Sequence, residues 1–574
     1  MTAVADRPAA AAPTPAVKRR PHRDRNRFER IARLVWALVM VVLVAYPVTR
    51  IISQSLSSED GTSLFANYSI LFEDDRIAVA ILHSLWIAVG TMIGALSIAL
   101  PMSWLLVRSD LPGRRVFRSV AVLTFAAPSF IAALGWVLLL GPRNGLLNTG
   151  IQNLFGLEEP PFNIFGPWGI IFVLSLFLYP LILMPVSAAL EGIDPSLEHA
   201  ASTLGASRFK VLRTVTFPIV LPAVVAGSIL TFVTSVVVFG PVAVLGGPAG
   251  FDTVPTVLLQ MLKFPPRIEL AAVIAVPIIV MLAGLLFIQH KILGSRKFVV
   301  IGGKPGQQAP TRLGVWKLPA FGFATLVLLL SLVLPFGILV LTSFRRAVGR
   351  PMGMDNFTWT ENYVRVFSQP GIVAAFVNSI VLALAATLAA MVVAILASWL
   401  KQRTTSKTNA GIPAAMASPL AFPGAIFAIG IIIAYAGRPF ALGGTLAILA
   451  IAYIAHALPL TFSYVDAGMG QIGAEMEEAS RSLGAGWFRT CWRVTIPLLK
   501  PSLLAAGLLN VVILLRELEM SVFLFTGSNP TIATVLYGLA NDSLYQQVGA
   551  VAVVVLAINL VIALTAVKLM NTNK

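Results

Sequence analysis

Two stretches of the chain decide its fold, and they read EHAASTLGASRFKVLRTVTFPIVLP (residues 198–222) and EEASRSLGAGWFRTCWRVTIPLLKP (residues 477–501). Ten of the 25 aligned positions are identical, at an offset of 279 residues. Shorter repeats flank them: TVPTVL (253–258) matches TIATVL (531–536), and HSLWIAV (83–89) matches NSIVLAL (378–384). The sequence is therefore predicted to consist of two related halves.

Long apolar runs surround these stretches. Hydrophobic residue types make up 57% of the 574 residues and charged types only 12%, and the mean hydropathy is +0.85. A helix that crosses a bilayer needs about 20 apolar residues. Twelve runs of suitable length are found, at 31–48, 83–107, 119–141, 168–190, 218–241, 268–290, 319–342, 373–400, 410–436, 443–465, 503–527 and 547–567. The sequence predicts an all-α integral membrane protein of about 12 transmembrane helices, arranged as two repeated six-helix halves.

The domain boundaries follow from the runs and the charges. A disordered basic cytoplasmic tail is predicted at 1–30, the first half at 31–290, a cytoplasmic linker at 291–318 and the second half at 319–574. With the N-terminus inside and the sides alternating, 31 of the 42 Lys and Arg residues fall on the cytoplasmic side. Because orientation follows Lys and Arg in this way, both termini are predicted to be cytoplasmic.

Composition also excludes several function classes. The sorting of basic residues to one membrane side explains the net charge of +17 without nucleic acid as a partner. The single cysteine, Cys491, allows neither an intrachain disulfide nor a cysteine-based metal cluster. No phosphate loop of the GxxxxGK[ST] type and no GxSxG nucleophile motif occurs. The five histidines are too scattered to indicate a metal centre, so the chain is not predicted to be an enzyme by itself.

The repeated stretches resemble the signature of binding-protein-dependent ABC importer permeases, often called the EAA loop. That signature is Glu-Ala-Ala, then Gly, then a Pro-containing start of the next span, and it occurs here in both halves. The resemblance implies a type I ABC importer permease fold. It also implies that each loop forms a coupling helix, near 195–206 and near 474–485, which sits in a groove of an ATP-hydrolysing subunit.

The resemblance assigns particular residues to the coupling helices. His199 stands where the motif expects the glutamate that Glu478 supplies in the second half, so the two docking contacts need not be equivalent. The motif's glycine suits a sharp helix exit, where φ > 0 is tolerated. The residues assigned to ATPase coupling are Glu198, His199, Ala200 and Gly205 in the first half, and Glu477, Glu478, Ala479 and Gly484 in the second.

Partners and substrate are implied by the same resemblance. Two coupling helices imply two copies of an ABC ATPase, which would bind ATP and Mg, while this chain itself needs no cofactor. A periplasmic or extracellular binding protein would deliver the substrate to the permease in the bilayer of a bacterial inner membrane. The fusion of both halves, and RELEMSVFLFTGSNPTIATVLYGL (516–539), resemble the ferric-iron transport permeases most, so ferric iron is the expected substrate.

Alternatives remain open at this point. Fused permeases for thiamine and for aminophosphonates look similar to the ferric group. An ion-coupled secondary transporter could also have twelve spans, although it would not need the cytoplasmic repeat.

Three charged residues, Arg516, Glu517 and Glu519, fall inside the predicted eleventh span, where the first half has Val-Val-Val-Phe (236–239). A charge at mid-membrane costs at least about 2.5–3.5 kcal/mol on insertion scales. They are interpreted either as carboxylates beside the translocation path or as an Arg–Glu clamp between helices. On one continuous helix Glu517 and Glu519 would point about 200° apart, so both could not line one narrow path.

Weaker signals complete the candidate set. Asn378 and Asn510 could face the path between the halves, or form ordinary helix–helix hydrogen bonds. The segments FGPVAVLGG (239–247) and FTGSNP (525–530) are rich in Gly and Pro and end corresponding spans. They predict bent backbone near an outer gate.

Overall fold

The computed structural model of the chain describes residues 23–57, 65–263, 266–294, 310–350 and 353–571. Throughout these ranges the regular structure is helical, and the only β pairings are isolated bridges at Ser109–Thr311 and Arg345–Phe357. The all-α prediction is confirmed.

Ten helices in the described ranges are long and apolar enough to cross a membrane unbent. Each overlaps one predicted span, although the eleventh lies earlier in the chain than 503–527. They are Phe28–Ser55, Asp75–Arg108, Pro167–Glu191, Phe209–Val237, Ile268–Gln289, Gly314–Ser343, Pro370–Arg403, Leu446–Gln471, Trp487–Leu515 and Tyr545–Ile562.

The two remaining predicted spans are bent rather than straight. Their helix pairs turn by 101° and 99°, and they are Arg114–Phe125 with Ser129–Leu140 and Lys407–Ala421 with Gly424–Ala436. Each bend lies at a proline, Pro128 or Pro423, and these two prolines are 295 residues apart, as are the HSLWIAV and NSIVLAL motifs. Proline lacks an N–H and disfavours the helical conformation of the residue before it, so each helix restarts in a new direction.

Short helices follow the fifth and eleventh spans on the predicted outer face. In the first half Gly240–Ala249 and Val254–Met261 meet at 84°. In the second half the corresponding helices are Glu519–Leu524 and Ile532–Asn541. Of the two segments predicted to bend, 239–247 has a helix break at its start, between Val237 and Gly240, and 525–530 lies wholly in the break between Leu524 and Ile532.

In the described part of the chain, four spans contain a single wide π-helical turn just before a proline. The turns are Val41–Ala45, Leu212–Thr216, Leu329–Val333 and Cys491–Thr495, and Pro47, Pro218, Pro335 and Pro497 follow them. A proline ring clashes with the carbonyl four residues earlier, and a π turn moves that carbonyl aside. The same solution occurs at matching places in both halves.

The first span of each half packs against the other half. Phe28–Ser55 contacts the second half through the Tyr435 hydroxyl, which donates to the Val42 carbonyl. Gly430 faces the Pro47 carbonyl so closely that an added Cβ would lie 3.0 Å from that oxygen. Reciprocally, a Cβ on Gly135 would lie 2.1 Å from the Pro335 carbonyl oxygen. The two six-helix halves are therefore interlocked rather than side by side.

The predicted tail and linker lie largely outside the described residues, which omit 1–22 and 295–309. Within the predicted tail, however, a helix begins at Arg23, because Phe28 packs its ring on Trp399 and Trp487 of the second half. The end of the linker is pinned to the first half, where the Leu313 N–H donates to Asp110 Oδ1 at 2.9 Å. This bond holds the pKa of Asp110 below its usual value.

Candidate coupling and intramembrane sites

Two short helices on the predicted cytoplasmic face match the predicted coupling helices. They are coupling helix 1 (Pro195–Thr203) and coupling helix 2 (Ala474–Ser482). Each ends at a glycine in the left-handed region, Gly205 with φ +84° and Gly484 with φ +87°. In the first, the N–H groups of Gly205 and Ala206 donate to the carbonyls of Ser202 and Ala201. This pair of hydrogen bonds is a Schellman motif, and the motif requires a positive φ at the glycine.

Both coupling helices present apolar side chains to solvent. Leu204 and Leu483, next to the glycines, are each 89% exposed, and Phe209 and Phe488 are 71% and 74% exposed. These leucines and phenylalanines lie just before or at the start of the spans Phe209–Val237 and Trp487–Leu515, beside the coupling helices. Exposed apolar patches of this kind mark protein–protein contact sites. Of the predicted coupling residues, His199, Ala200, Glu478 and Ala479 are exposed beside this surface.

Glu198 and Glu477 behave differently from the other predicted coupling residues, since they point inward. The Arg403 Nε lies 3.3 Å from Glu477 Oε1, with both side chains nearly buried. The Arg108 Nη2 lies 3.4 Å from Glu198 Oε1, with the arginine nearly buried and the glutamate partly exposed. These carboxylates therefore anchor the coupling helices to the permease itself.

A threonine completes each anchor. The Thr216 hydroxyl donates to Glu198 Oε1 at 2.7 Å, and the Thr495 hydroxyl donates to Glu477 Oε1 at 3.3 Å. Sequence reasoning missed both arginines and both threonines. A signal existed, because Arg108 and Arg403 are separated by the 295-residue offset of the flanking repeat.

The intramembrane charges lie at a helix break and not inside a continuous helix. The helix Ile496–Leu515 ends just before Arg516, and a new helix begins at Glu519. The prediction that Glu517 and Glu519 project from one helix is therefore wrong, and the 200° argument does not apply. A helix that breaks inside the membrane leaves backbone N–H and C=O groups without partners, and charged side chains can form hydrogen bonds with them.

Two of the three charges reach across to the first half. The Arg516 guanidinium donates to the carbonyl oxygens of Phe125 at 2.9 Å and Ala127 at 3.0 Å, beside the bend at Pro128. The Phe239 N–H, at the break of the fifth span, donates to Glu519 Oε1 at 3.3 Å. Each charge thus binds backbone exposed by a break in the opposite half, which is a clamp geometry.

Glu517 stays within the second half. Its Oε1 accepts the Met520 N–H at 3.1 Å, and its Oε2 lies 3.8 Å from His456 Nε2. The His456 side chain remains 38% exposed. Sequence reasoning did not connect this histidine with the charged cluster, because 61 residues separate it from Glu517.

The two predicted asparagines lie apart from these charges. Asn510 is buried, and its amide donates to the Thr461 hydroxyl at 2.6 Å in a helix–helix hydrogen bond. The Asn378 amide donates to the Pro530 carbonyl at 2.9 Å, on the predicted outer face. Within the described ranges no group of three or more His, Cys, Asp or Glu is arranged to hold a metal ion.

Comparison with known proteins bears on this arrangement. The family described as "Binding-protein-dependent transport system inner membrane component" matches residues 90–298. The chain is 25% identical over 461 residues to the ferric transport system permease protein FbpB of Actinobacillus pleuropneumoniae, covering 79% of this chain and 66% of that protein. It is 26% identical over 512 residues to a protein of Haemophilus influenzae named as ferric transport system permease FbpB 1, covering 86% of this chain and 78% of that protein.

A shorter relative is more similar. The chain is 31% identical over 268 residues to PhnU of Salmonella paratyphi A, a protein named as a 2-aminoethylphosphonate transport system permease, covering 46% of this chain and 92% of that protein. The paired coupling helices, the repeated spans and these relatives agree. The chain belongs to the binding-protein-dependent ABC importer permeases, the inner membrane components of these transport systems.

Proposed function

We propose that this chain is a two-half permease of an ABC importer for ferric iron, driven by two ATPase subunits. The observation that carries the proposal is the duplicated coupling helix on one face of a single chain. Each copy ends in a left-handed glycine and exposes the same leucine and phenylalanine. Two docking surfaces that share this glycine, leucine and phenylalanine fit two copies of one ATPase, which would bind the ATP and Mg.

The extent of the sequence matches supports ferric iron as the substrate. Relatives named as ferric transport permeases align over 79% and 86% of the chain, so they share both halves. Glu517 is the intramembrane carboxylate that does not join the halves, and it suits the passage of a hard cation, for which oxygen groups are the preferred partners. In this proposal a binding protein holds the ion, and the permease offers it only weak, transient contacts, since strong ligands would slow release.

A second candidate substrate is 2-aminoethylphosphonate. It is favoured by the higher identity of 31% to PhnU, although that match covers 46% of the chain. The two candidate substrates differ in charge, since ferric iron is a cation and the phosphonate group is an anion. Arg516 is bound to backbone carbonyls of the first half, and it offers an anionic phosphonate little free positive charge.

We also propose an orientation with both termini in the cytoplasm. It is supported by the distribution of Lys and Arg, 31 of 42 on the side that carries the coupling helices. In this orientation the short helices Val254–Met261 and Ile532–Asn541 face the binding protein.

The decisive experiment is uptake by proteoliposomes that contain the chain with its co-expressed ATPase. Labelled ferric iron bound to its binding protein is expected to enter only when ATP is inside. Labelled 2-aminoethylphosphonate serves as the competing substrate. Uptake driven by an ion gradient without ATP would instead identify a secondary transporter, and failure of the ATPase to co-purify would remove the docking account.

A further inference from the structure

Two 34-residue helices connect the coupling helices with two short helices on the predicted outer face, Val254–Met261 and Ile532–Asn541, here called the outer helices. The first long helix is Asp75–Arg108 and the second long helix is Pro370–Arg403. Each is the second span of its half, and each is attached to a different short helix at either end.

The inner attachment is the arginine that ends each long helix. Arg403 contacts Glu477 of coupling helix 2, and its Nη2 also donates to the carbonyls of Ile472 at 2.8 Å and Met469 at 3.3 Å, just before that helix. Arg108 makes the equivalent ion pair with Glu198 of coupling helix 1. A planar guanidinium that holds several oxygens at once fixes both distance and orientation.

The outer attachment is a serine near the start of each long helix. The Ser84 hydroxyl accepts the Val254 N–H, and the Ser379 hydroxyl accepts the Ile532 N–H, both at 2.9 Å. These N–H groups belong to the first residues of the outer helices Val254–Met261 and Ile532–Asn541, each of which starts with a threonine capping box.

The preceding residue adds a second contact in each half. The Asn378 amide donates to the Pro530 carbonyl at 2.9 Å, and His83 Nδ1 lies 2.8 Å from the Asp252 carbonyl oxygen. Each outer helix is thus held at its start by two successive side chains of a long helix. The attachments are duplicated even though the residue at the first position differs between the halves.

The distance between the attachments is that of a bilayer crossing. Twenty-four residues separate Ser379 from Arg403, and also Ser84 from Arg108. At 1.5 Å per residue this is about 36 Å. Each stretch is one helix from end to end, although Pro101 removes one backbone hydrogen bond from the first long helix. A displacement at one end of such a helix moves the other end as well.

We propose that the two long helices are the elements that transmit movement of the coupling helices to the outer helices. In this proposal Arg108 and Arg403 are positioning residues at the inner end, and Ser84 and Ser379 are their counterparts at the outer end. The inference rests on the proposed function in one respect, namely that ATPases move the coupling helices. It adds the route by which that movement reaches the outer face.

The test uses the first long helix in the full complex of permease, ATPase and substrate-loaded binding protein. Arg108→Gln and Ser84→Ala are each expected to lower the ratio of stimulated to basal ATP hydrolysis by about fivefold or more, the range of typical coupling energies. The matched controls are Arg115→Gln and Ser97→Ala. Arg115 is exposed, and the Ser97 hydroxyl donates only to Gly94 of its own helix, so both controls keep the wild-type ratio.

The double variant Arg108→Gln with Ser84→Ala gives the sharpest result. Sites this far apart with no shared partner normally act additively. If the first long helix transmits the movement, the loss of both attachments is no more harmful than the loss of one. The double variant is then expected to have the same ratio as the more severe single variant. Losses that multiply, or single variants with the wild-type ratio, would overturn the proposal.

Two measurements separate this from a folding defect and from failure of the proposed function. Thermal unfolding of the complex and co-purification of the ATPase report whether each variant assembles. Arg108→Lys keeps the positive charge but lacks the planar guanidinium, and it is expected to restore part of the ratio of stimulated to basal ATP hydrolysis. A wild-type complex that shows no stimulation by the binding protein would contradict the proposed function itself. A stimulated wild type with insensitive variants would contradict only the transmission route.

Discussion

The two halves of this permease are alike at both membrane faces and unlike in the middle. Near each face, Arg108 and Arg403 hold equivalent glutamates, and Ser84 and Ser379 hold equivalent helix starts. At the central break the first half has Val237, where the second half has Arg516. The contacts that anchor the coupling helices and the outer helices are thus duplicated, whereas the charged contacts at the central break are made once, by side chains of the second half.

The largest expected effect comes from removing the central clamp. Arg516→Leu leaves the carbonyls of Phe125 and Ala127 without their charged donor, which is expected to lower the free energy of unfolding by about 3 kcal/mol. Val237→Leu, at the equivalent position of the first half, is the control and should change stability far less. Denaturant unfolding of the purified chain in detergent measures both. Equal effects would show that the halves are alike at the centre after all.

The next largest effect is expected where the first span of each half packs against the opposite half. Gly135→Ala forces a Cβ against the Pro335 carbonyl oxygen, at 2.1 Å before any adjustment, and overpacking of this kind costs about 2 kcal/mol. Gly430→Ala meets the Ile51 side chain at 2.7 Å and the Pro47 carbonyl at 3.0 Å, so a side-chain shift relieves much of the strain. Thermal unfolding should rank Gly135→Ala as the more damaging. The reverse order would contradict the interlocked packing described for the two halves.

A smaller effect distinguishes the two docking surfaces. Glu478→Lys reverses an exposed charge on coupling helix 2 and is expected to weaken ATPase binding about tenfold, or 1.4 kcal/mol. His199→Lys, at the equivalent position of coupling helix 1, replaces a residue that carries no carboxylate and is expected to do less. Co-purification of the ATPase with each variant checks this. Equal losses would mean that both helices dock through the same charge pattern.

The smallest effect is expected at Asn510. Asn510→Leu removes one buried interhelical hydrogen bond, worth about 0.6 kcal/mol inside membrane proteins. The Thr461 hydroxyl keeps its bond to the Ala457 carbonyl, so no donor is left without an acceptor. Thr231 occupies the position of the first half that is equivalent to Asn510, and its hydroxyl donates to Gly227 of its own helix. Thr231→Val therefore serves as the control. A loss of uptake with Asn510→Leu, at unchanged stability, would instead indicate a role in the translocation path.

Much of the fold could be predicted because local signals specified it. Ten of twelve spans followed from apolar runs, and both coupling helices followed from the repeated loop with Gly205 and Gly484. The bends at Pro128 and Pro423 were missed, because proline inside an apolar run is compatible with either a straight or a broken membrane helix. The break at Arg516 was missed for a related reason, since hydropathy of the flanking residues does not reveal where a helix stops.

The candidate site was predicted less completely. The loop motif assigned His199 and Glu478 to ATPase coupling, and both side chains are exposed in the structure. It grouped Glu198 and Glu477 with them, although these carboxylates face Arg108 and Arg403, which lie more than 70 residues away in sequence. A one-residue step along a short helix turns a side chain by about 100°, so neighbours in one motif point to different partners.

The sequence by itself determined the helical class, the twofold repeat, the places of ten straight spans and the position of the coupling loops. Each depends on composition or spacing within a few turns of chain. Only the tertiary structure decided that the first span of each half packs on the opposite half, and that Arg516 and Glu519 bind backbone across the interface. An apolar face or a buried charge requires a partner, but local sequence does not specify which partner the folded chain brings within reach.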